Sequence, residues 1–442
     1  MLTARDPRLA GRVAFQYPNY VSYTVARFFI VVALEMQSVA VGWQVYEITR
    51  RPLDLGYVGL AQFLPGFLLF LFAGHAADVL DRRKLLIWVY AGYASCSALL
   101  LVIYRVAPTS VHWIYVVLVW LGIVRAFSFP VSRAILPHLV PKEHFANAVA
   151  WNASTFQMAT IAGPAMGGIA YALFHGPAVV YIMTVAVSAL SVALTFRIHP
   201  IDDALSSAAA DTMSAEDLRH RGHRGHGEKH TTSFNVRNVL AGFRFIFEKK
   251  LILGSISLDM FAVLLGGAVA LLPIYAKTIL HTGPWGLGLL RSAPGVGAAL
   301  MAIVVAHWPI RRRAGVAMLL AVAGFGVCTI VFGLSTNIYL SLAVLLLLGA
   351  SDMVSVIIRA TLIQIATPDA MRGRVNAVDM LFIGVSNELG EFESGITAQW
   401  LGPVTAVVVG GVGTLAVIGL WAWLFPELRE ADELTVAEVG GK

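Results

Sequence analysis

The chain is dominated by apolar runs of about 20 residues, the length that a helix needs to cross the hydrocarbon core of a bilayer. Only 13% of its 442 residues are charged, against about 25% in a typical soluble domain. Backbone polar groups in hydrocarbon must be satisfied within their own segment, so the sequence predicts an all-α membrane protein with twelve transmembrane helices. Their approximate ranges are 20–47, 56–74, 85–105, 111–130, 148–173, 178–196, 251–276, 286–308, 314–333, 338–358, 376–400 and 403–425.

Basic residues alternate between the loops on the two sides of the predicted helices. Only four of the 32 Lys and Arg residues lie in the loops of one side, namely Arg50, Arg51, Arg105 and Lys277. Basic residues concentrate in the cytoplasmic loops of membrane proteins, so the pattern predicts a bacterial inner-membrane protein with both termini in the cytoplasm. A surface for nucleic acid would not alternate loop by loop, and the net charge of +6 therefore does not indicate a nucleic-acid partner.

One stretch, residues 198–237, is polar and interrupts the apolar pattern between the sixth and seventh spans. Its composition is typical of a flexible cytoplasmic linker. The segment from Val236 to Lys250 then shows helical periodicity, with Val239, Phe243, Ile246 and Phe247 as its apolar residues, and predicts an amphipathic helix on the membrane surface. We expect an N-terminal six-helix bundle over 1–197, a cytoplasmic linker with this helix over 198–250, a C-terminal six-helix bundle over 251–426 and a cytoplasmic tail over 427–442.

The two halves resemble each other at an offset of 227 residues. The offset superposes the pairs Gly122 and Gly349, Ser128 and Ser355, and Pro141 and Pro368. It also superposes Arg125 on Asp352. Repeats related by an axis along the membrane normal are typical of transporters. The sequence thus predicts two pseudo-symmetric bundles that rock around a central path for a small-molecule substrate.

Several acidic residues lie deep in the predicted spans, where an ionised side chain costs roughly 2.5–3.5 kcal/mol. Glu35 lies in the middle of the first span, and Glu388, Glu391 and Glu393 lie in the middle of the eleventh. Helical geometry places Glu388 and Glu391 on one face and Glu393 on the other. Glu388 and Glu391 are one turn apart, and their mutual repulsion favours protonation of one of them. Together with Glu35, they are candidate sites for proton coupling or substrate binding in a hydrated cavity. A structural role in hydrogen bonding between helices is the alternative.

Other charged residues extend this set. Arg27 shares a face of the first span with Glu35, two turns away, and either lines the cavity or reaches the interface. Asp259, about two turns into the seventh span, is either a cavity acid or a gate partner. Arg125 and Asp352 lie near the cytoplasmic ends of the fourth and tenth spans, where we expect them to pair across the two halves as part of a cytoplasmic gate.

The loop after the second span reads Gly74-His-Ala-Ala-Asp78-Val-Leu-Asp81-Arg82-Arg83-Lys84. A glycine, an aspartate four residues later and then paired arginines resemble the cytoplasmic loop signature of the major facilitator superfamily. Val79 stands where that signature usually has a basic residue, and Asp81 replaces the common glycine, which resembles the enterobactin-exporter and macrolide-efflux branch. The resemblance implies that Asp78, Arg82 and Arg83 form a cytoplasmic gate that latches the outward-facing state against span eleven. The alternative is that the basic cluster only sets the topology.

The fifth span carries Gly163-Pro164-Ala-Met-Gly167-Gly168. This run resembles the antiporter motif of exporters in the same superfamily, with Ala159 in place of one further glycine. Proline removes a backbone donor and kinks a helix, and small residues allow close helix contact. The resemblance implies export rather than import.

No metal or cofactor is expected. The linker histidines His220, His223, His226 and His230 have a spacing that could bind a divalent metal, but the glycines and arginines around them favour a solvated basic segment. There is no glycine-rich phosphate loop of the Walker type that would indicate an ATP-driven pump.

The leading hypothesis from the sequence is proton-coupled export of a small amphipathic molecule such as a siderophore or a drug, by a monomer that is not an enzyme. Uptake of a solute or metal chelate is the alternative within transport. A non-transporting membrane sensor is the alternative from another class, and a membrane-embedded hydrolase lacks a convincing nucleophile and base.

Overall fold

The computed structural model describes residues 11–198, 236–310 and 312–431, without the side chains at 70, 71, 78, 236–239 and 370. The first half of the chain forms α1 (Pro18–Thr49), α2 (Pro52–Val79), α3 (Arg82–Val106), α4 (Val111–Ile135), α5 (Phe145–Leu173) and α6 (Pro177–Thr195). The second half forms α7 (Val236–Glu248), α8 (Lys250–Gly266), α9 (Gly283–His307), α10 (Ala314–Leu334), α11 (Ile338–Ala366), α12 (Asp369–Leu401), α13 (Pro403–Leu424) and α14 (Pro426–Arg429). Most of the predicted linker lies outside the described residues.

The prediction of an all-α fold with twelve transmembrane helices in two bundles is confirmed. Within the described ranges, ten helices are long and apolar enough to cross a bilayer. The other two spans, α5 and α12, are as long but more polar. These two helices lie at the interface of the halves, where α5 packs on α9 and α12 packs on α2. The polar side chains of α5 and α12 therefore have protein and an internal cavity to face instead of lipid.

Glycines allow the two bundles to approach closely at two points. A Cβ atom added at Gly395 of α12 would lie 2.9 Å from the Cα atom of Gly56 in α2. A Cβ atom added at Gly288 of α9 would lie 3.1 Å from the Cα atom of Gly168 in α5. Because backbones at this distance leave no room for a larger side chain, these four glycines define the contact between the bundles.

Successive spans run in opposite directions, so α1 begins and α13 ends at the same face of the molecule, which we name the terminal face. The other end of the bundles is the opposite face. Both glycine contacts lie nearer the opposite face. Near the same face, Nζ of Lys277 in the second half lies 2.9 Å from Oε1 of Glu47 in α1. The two bundles are thus closed against each other at the opposite face.

The sequence predicts one continuous α-helix for the seventh span, but the structure shows that this helix is interrupted. The α-helix α8 ends at Gly266, Ala268–Leu271 forms a 3₁₀ turn, and Tyr275–Ile279 forms a π-helical turn. Two consecutive glycines weaken the helix at this point, and Pro273 six residues later cannot donate a helical hydrogen bond. The carbonyl oxygen of Gly267 instead accepts a hydrogen bond of 2.9 Å from Ser394 of α12.

The short helix α7 lies against the terminal-face end of α12. Ile246 is completely buried in a cluster with Val375 and Val378, and the rings of Phe243 and Phe382 are 5.8 Å apart. Phe247 remains 62% exposed. The predicted amphipathic segment therefore uses part of its apolar face to bind protein, whereas its sequence had suggested that the whole face contacts the membrane surface.

Candidate transport cavity

A cavity of about 470 Å³ lies between the two bundles. It is lined by α1 to α5 of the first half and by α9, α12 and the irregular part of the seventh span. Six charged side chains line it, namely Arg27, Glu35, Arg125, Arg291, Glu388 and Glu391. From the level of Glu35 the cavity extends toward the terminal face, where Arg27 and Ser132 also line it. A charged internal volume that is blocked at one face has the form of a transport path.

Arg125 of α4 and Glu388 of α12 join the two bundles across this cavity. Their Nη1 and Oε1 atoms are 3.5 Å apart, and the same guanidinium donates a 3.1 Å hydrogen bond to Gln62 of α2. The side chain of Arg125 is 47% exposed and that of Glu388 is 20% exposed. This ion pair is therefore accessible from the cavity and is not enclosed in a dry core.

Glu391 lies one turn from Glu388 and fits against a glycine of α2. A Cβ atom added at Gly59 would lie 2.8 Å from Oε2 of Glu391. Gly384, one turn before Glu388, has no atom within 4 Å of an added Cβ. The carboxylate of Glu391 is thus accommodated by a glycine on the neighbouring helix. Glu393 does not line the cavity, and its carboxylate accepts a 2.7 Å hydrogen bond from Thr397.

The glycines of the antiporter-like motif hold α5 against α1 at the position of Glu35. A Cβ atom added at Gly163 would clash with the Cβ atom of Glu35, and one added at Gly167 would lie 2.7 Å from the Cα atom of Met36. Gly168 lies on the other side of the helix, against Gly288 of α9, as described above. Pro164 supplies the carbonyl oxygen that comes within 2.5 Å of a Cβ added at Gly288. The motif therefore packs Glu35 and also joins the two bundles.

Two further arginines complete the cavity. Arg27 donates a 2.7 Å hydrogen bond to Asn152 of α5 and lies over the ring of Phe156. Arg291 of α9 donates a 2.8 Å hydrogen bond to the hydroxyl of Ser38 in α1, which also links the bundles. Arg291 was not among the predicted site residues, although its position inside an apolar span was a signal that could have identified it.

The structure corrects the predicted placement of Asp259, which does not line this cavity. Its carboxylate lies in the C-terminal bundle, 3.2 Å from Arg359 of α11, and accepts a 3.1 Å hydrogen bond from Ser355. The guanidinium of Arg359 also lies 3.0 Å from Asp379 of α12. The sequence missed Arg359 because the tenth span was predicted to end at 358, whereas α11 continues to Ala366.

In this conformation Arg125 does not pair with Asp352, as the sequence predicted for a cytoplasmic gate. Arg125 contacts Glu388, whereas Asp352 lies in the C-terminal bundle and interacts electrostatically with Asp259 and Arg359. The internal repeat places Arg125 and Asp352 at equivalent positions of the two bundles. Equivalent positions around an axis of pseudo-symmetry need not meet, so the repeat gave no information on contact.

The loop motif contacts its own bundle in this conformation. Asp81 caps α3 by accepting hydrogen bonds of 3.0 and 3.1 Å from the backbone N–H groups of Arg83 and Lys84. The guanidinium of Arg82 contacts the ring of His138, and that of Arg83 donates to the carbonyl oxygen of Phe196. Gly74 lies in the last turns of α2, and the side chain of Asp78 is outside the described part of the chain.

In the ranges that the structure describes, no group of three or more His, Cys, Asp and Glu side chains is placed to hold a metal ion. The four histidines of the predicted linker lie outside these ranges.

Twelve helices in two bundles around a charged central cavity define a multi-pass membrane transporter. The model of the transmembrane secretion effector family of the major facilitator superfamily matches residues 20–439, and the chain belongs to this family. The resemblance to the major facilitator superfamily that the loop motif predicted is thus confirmed.

Relatives of known function cover nearly the whole chain. The enterobactin exporter of Citrobacter koseri is 27% identical over 418 residues, which is 93% of this chain and 93% of the exporter. The enterobactin exporter of Escherichia coli O1:K1 is 26% identical with the same coverage.

Solved structures show the same fold at low sequence identity. A D-xylose–proton symporter has a TM-score of 0.67 at 12% identity and covers 92% of this chain and 98% of its own. A bacterial homologue of the human lysosomal transporter Spinster, in an inward-facing and unoccupied conformation, has a TM-score of 0.65 at 14% identity and covers 93% of this chain and 96% of its own.

Proposed function

We propose that this protein is a secondary active exporter of a small amphipathic molecule, siderophore-like or drug-like, that works by alternating access and proton antiport. The observation that carries the proposal is the cavity between the bundles, with Glu35, Glu388 and Glu391 on its wall. We place the protein in a bacterial inner membrane with both termini in the cytoplasm. The terminal face is then cytoplasmic, and the conformation described here is inward-facing.

Proton coupling is supported by the position of the carboxylates at the junction of the two bundles. Glu35 belongs to the N-terminal bundle, whereas Glu388 and Glu391 belong to the C-terminal one. Two carboxylates one turn apart repel each other when both are ionised. A change in their protonation alters the attraction between Glu388 and Arg125, and hence the force that holds the bundles in one relative position. A group that binds protons at this place can therefore bias the conformational equilibrium.

An amphipathic substrate is supported by the mixed lining of the cavity. Its volume of about 470 Å³ falls in the range of about 300–1,000 Å³ that is usual for sites of drug-sized ligands. Besides the six charged residues, the wall contains the aromatic side chains of Tyr90, Tyr93, Phe129 and Phe156. The names of the two relatives, both enterobactin exporters, support export and favour a siderophore-like substrate.

The proposal is tested with purified protein in proteoliposomes that carry a pH gradient. Glu35→Gln, Glu388→Gln and Glu391→Gln should each abolish transport driven by the gradient, because the amide cannot exchange a proton, while folding is retained. Glu393→Gln is the matched control, since this glutamate is on the same helix but outside the cavity, and it should keep transport. The substrate is first identified by comparing metabolites and drug accumulation in cells with and without the protein. Full gradient-driven transport in all three cavity variants would refute the assignment.

The same measurements separate the alternatives. In an uptake transporter, deletion of the gene would lower the amount of substrate in the cell, whereas in an exporter it would raise it. In a membrane sensor that does not transport, proteoliposomes would show no substrate-dependent proton flux, and the three glutamines would have no effect on flux.

We further propose that the loop motif latches the outward-facing state. In the inward-facing conformation Arg82 and Arg83 bind within their own bundle, which leaves them available to move to another partner. Asp78→Asn should impair conformational cycling and lower the transport rate while substrate binding is largely kept. An equal loss of binding, measured by calorimetry on the same variant, would contradict the latch.

A further inference from the structure

A second cavity, of about 970 Å³, lies outside the transport path between α2 and α4. It uses the faces of these helices that turn away from the central cavity. On α2, Leu60 and Leu64 line this groove, whereas Val58 and Gln62 line the central cavity. Leu64 is 50% exposed and Leu68 is 62% exposed. In a membrane the groove therefore opens onto the hydrocarbon of the lipid.

The groove is long enough to hold an acyl chain. Its lining on α2 runs from Asp54 to Leu69, a distance of about 22 Å at 1.5 Å per residue. One leaflet contributes about half of the roughly 30 Å hydrocarbon core. Pro65 lies inside α2 and lines the groove. Proline cannot donate a helical hydrogen bond to the carbonyl of Ala61, which also lines the groove.

The end of the groove at the opposite face is suited to an anion. Arg51 and His112 line it there, and within the described residues neither the guanidinium nor the imidazole forms a hydrogen bond or ion pair. Helices α2 and α4 both begin at this end, and neither has a side chain that caps its first turn. Free N–H groups at a helix N-terminus attract negative charge. The carboxylate of Asp54, which is also in this region, accepts a 2.7 Å hydrogen bond from Tyr115.

The charge distribution of the sequence points to the same end. Arg50, Arg51, Arg105 and Lys277 are the four basic residues in the loops of the opposite face, and Lys277 is paired with Glu47. Arg51 instead lies at the mouth of a groove that is otherwise mostly apolar, with Arg50 next to it in the chain. Arg50 and Arg51 outnumber the single carboxylate of Asp54, which lies in the first turn of α2, so this mouth has a net positive charge. Such a mouth on a long apolar groove is complementary to a lipid with a negative head group.

We propose that this groove binds one anionic phospholipid from the leaflet at the opposite face. The phosphate lies between Arg51, His112 and the first turns of α2 and α4, and an acyl chain lies along Leu60, Leu64 and Val119. The site lies outside the central cavity, and the proposal does not rest on the proposed export activity.

Binding at this site stabilises the closed opposite face. Tyr57 lines the groove, and its ring lies 5.9 Å from that of Phe392 on α12 and 6.1 Å from that of Tyr115 on α4. The neighbouring Gly56 makes the close contact with Gly395. A lipid in the groove thus supports, from outside, the turn of α2 that closes the face.

The test is native mass spectrometry of the purified full-length protein with phosphatidylglycerol or phosphatidylcholine added to the detergent. Wild-type protein should retain one phosphatidylglycerol at concentrations where phosphatidylcholine is lost. The double variant Arg51→Ala, His112→Ala should weaken the retention of phosphatidylglycerol at least tenfold. Arg105→Ala, which removes a basic residue of the same face outside the groove, should leave it unchanged.

Ala61→Phe provides a second route that leaves the charges intact, because it fills the groove with an aromatic ring. It should also displace the lipid. If the double variant fails to fold, Ala61→Phe alone tests whether the groove binds the lipid. Equal retention of both lipids by wild-type protein would overturn the proposal. So would retention of phosphatidylglycerol by folded protein of either groove variant at the wild-type level.

Discussion

The cavity wall beside Glu35 depends on the absence of a side chain at Gly163. A Cβ atom at residue 163 would clash with the Cβ atom of Glu35. This contact gives the antiporter-like motif a direct physical role, since the glycine lets the carboxylate of α1 reach the cavity wall between α1 and α5. The proline beside it contributes a carbonyl oxygen to the contact with α9.

Gly163→Ala should therefore destabilise the protein by about 1–3 kcal/mol, the usual cost of overpacking, and should lower gradient-driven transport. Unfolding of purified protein in detergent and flux in proteoliposomes measure the two effects. Gly384→Ala is the control, because this glycine lies on the cavity side of α12 with open space around it and should tolerate the methyl group. Equal behaviour of the two variants would show that the contact with Glu35 is unimportant.

For single residues, the sequence identified the charged side chains inside the spans more reliably than it predicted which residues they contact. Helical periodicity separated Glu388 and Glu391 from Glu393, because a side chain's direction on a helix follows from its position alone. The partner of Arg125 depends on how α4 and α12 pack against each other, which cannot be derived from a single sequence. Arg359 was missed for a simpler reason, an error of several residues in the end of a span.

Among the secondary-structure elements, α7 departs most from its predicted environment. Its amphipathic pattern was clear in the sequence, but a helix with one apolar face can lie on lipid or on protein with the same pattern. The structure places Phe243 and Ile246 against α12, the helix that carries the cavity glutamates. A change in the position of α12 would therefore either displace α7 or break this contact.

Ile246→Ala should destabilise the protein by about 2 kcal/mol or more, since the side chain is fully buried and its removal leaves a cavity. Phe247→Ala should have a much smaller effect, because this ring is 62% exposed. Thermal unfolding and hydrogen exchange of the α7 amides measure the difference. A larger effect at Phe247 than at Ile246 would indicate that the membrane, and not α12, holds this helix.

The break in the seventh span is the second element that sequence did not predict. An apolar run of sufficient length is predicted as one helix, because hydropathy does not register a pair of glycines within it. Gly266 and Gly267 end the regular helix beside the cavity, where Val269, Ala270 and Pro273 form part of the wall. The number and order of the spans, in contrast, follow from bilayer thickness, which is a strong constraint.

For the molecule as a whole, the ion pair of Lys277 and Glu47 is a contact that reports which face is closed. It joins the two bundles at the opposite face, and Lys277 also lies 5.1 Å from the centre of the Trp43 ring. The Lys277 side chain is only 16% exposed, so the pair is partly protected from solvent. Its loss should favour opening of this face.

Lys277→Gln should shift the equilibrium between closed and open forms of the opposite face about fivefold, which corresponds to about 1 kcal/mol. Spin labels at Val106 and Tyr339, both highly exposed ends of helices in different bundles at this face, would report longer distances by pulsed electron paramagnetic resonance. Lys250→Gln is the control, because Lys250 pairs with Glu427 within the C-terminal bundle. Unchanged distances in the Lys277 variant would show that the pair does not hold the face.

The glycine contacts at the opposite face have a different consequence. Gly56 with Gly395, and Gly168 with Gly288, join the bundles through neutral backbone, so high ionic strength would weaken the Lys277 pair and leave these contacts intact. A bulkier residue at any of the four positions would keep the opposite face partly open while the terminal face is also open. Such a mutant would cease to be a carrier and would let ions leak across the membrane.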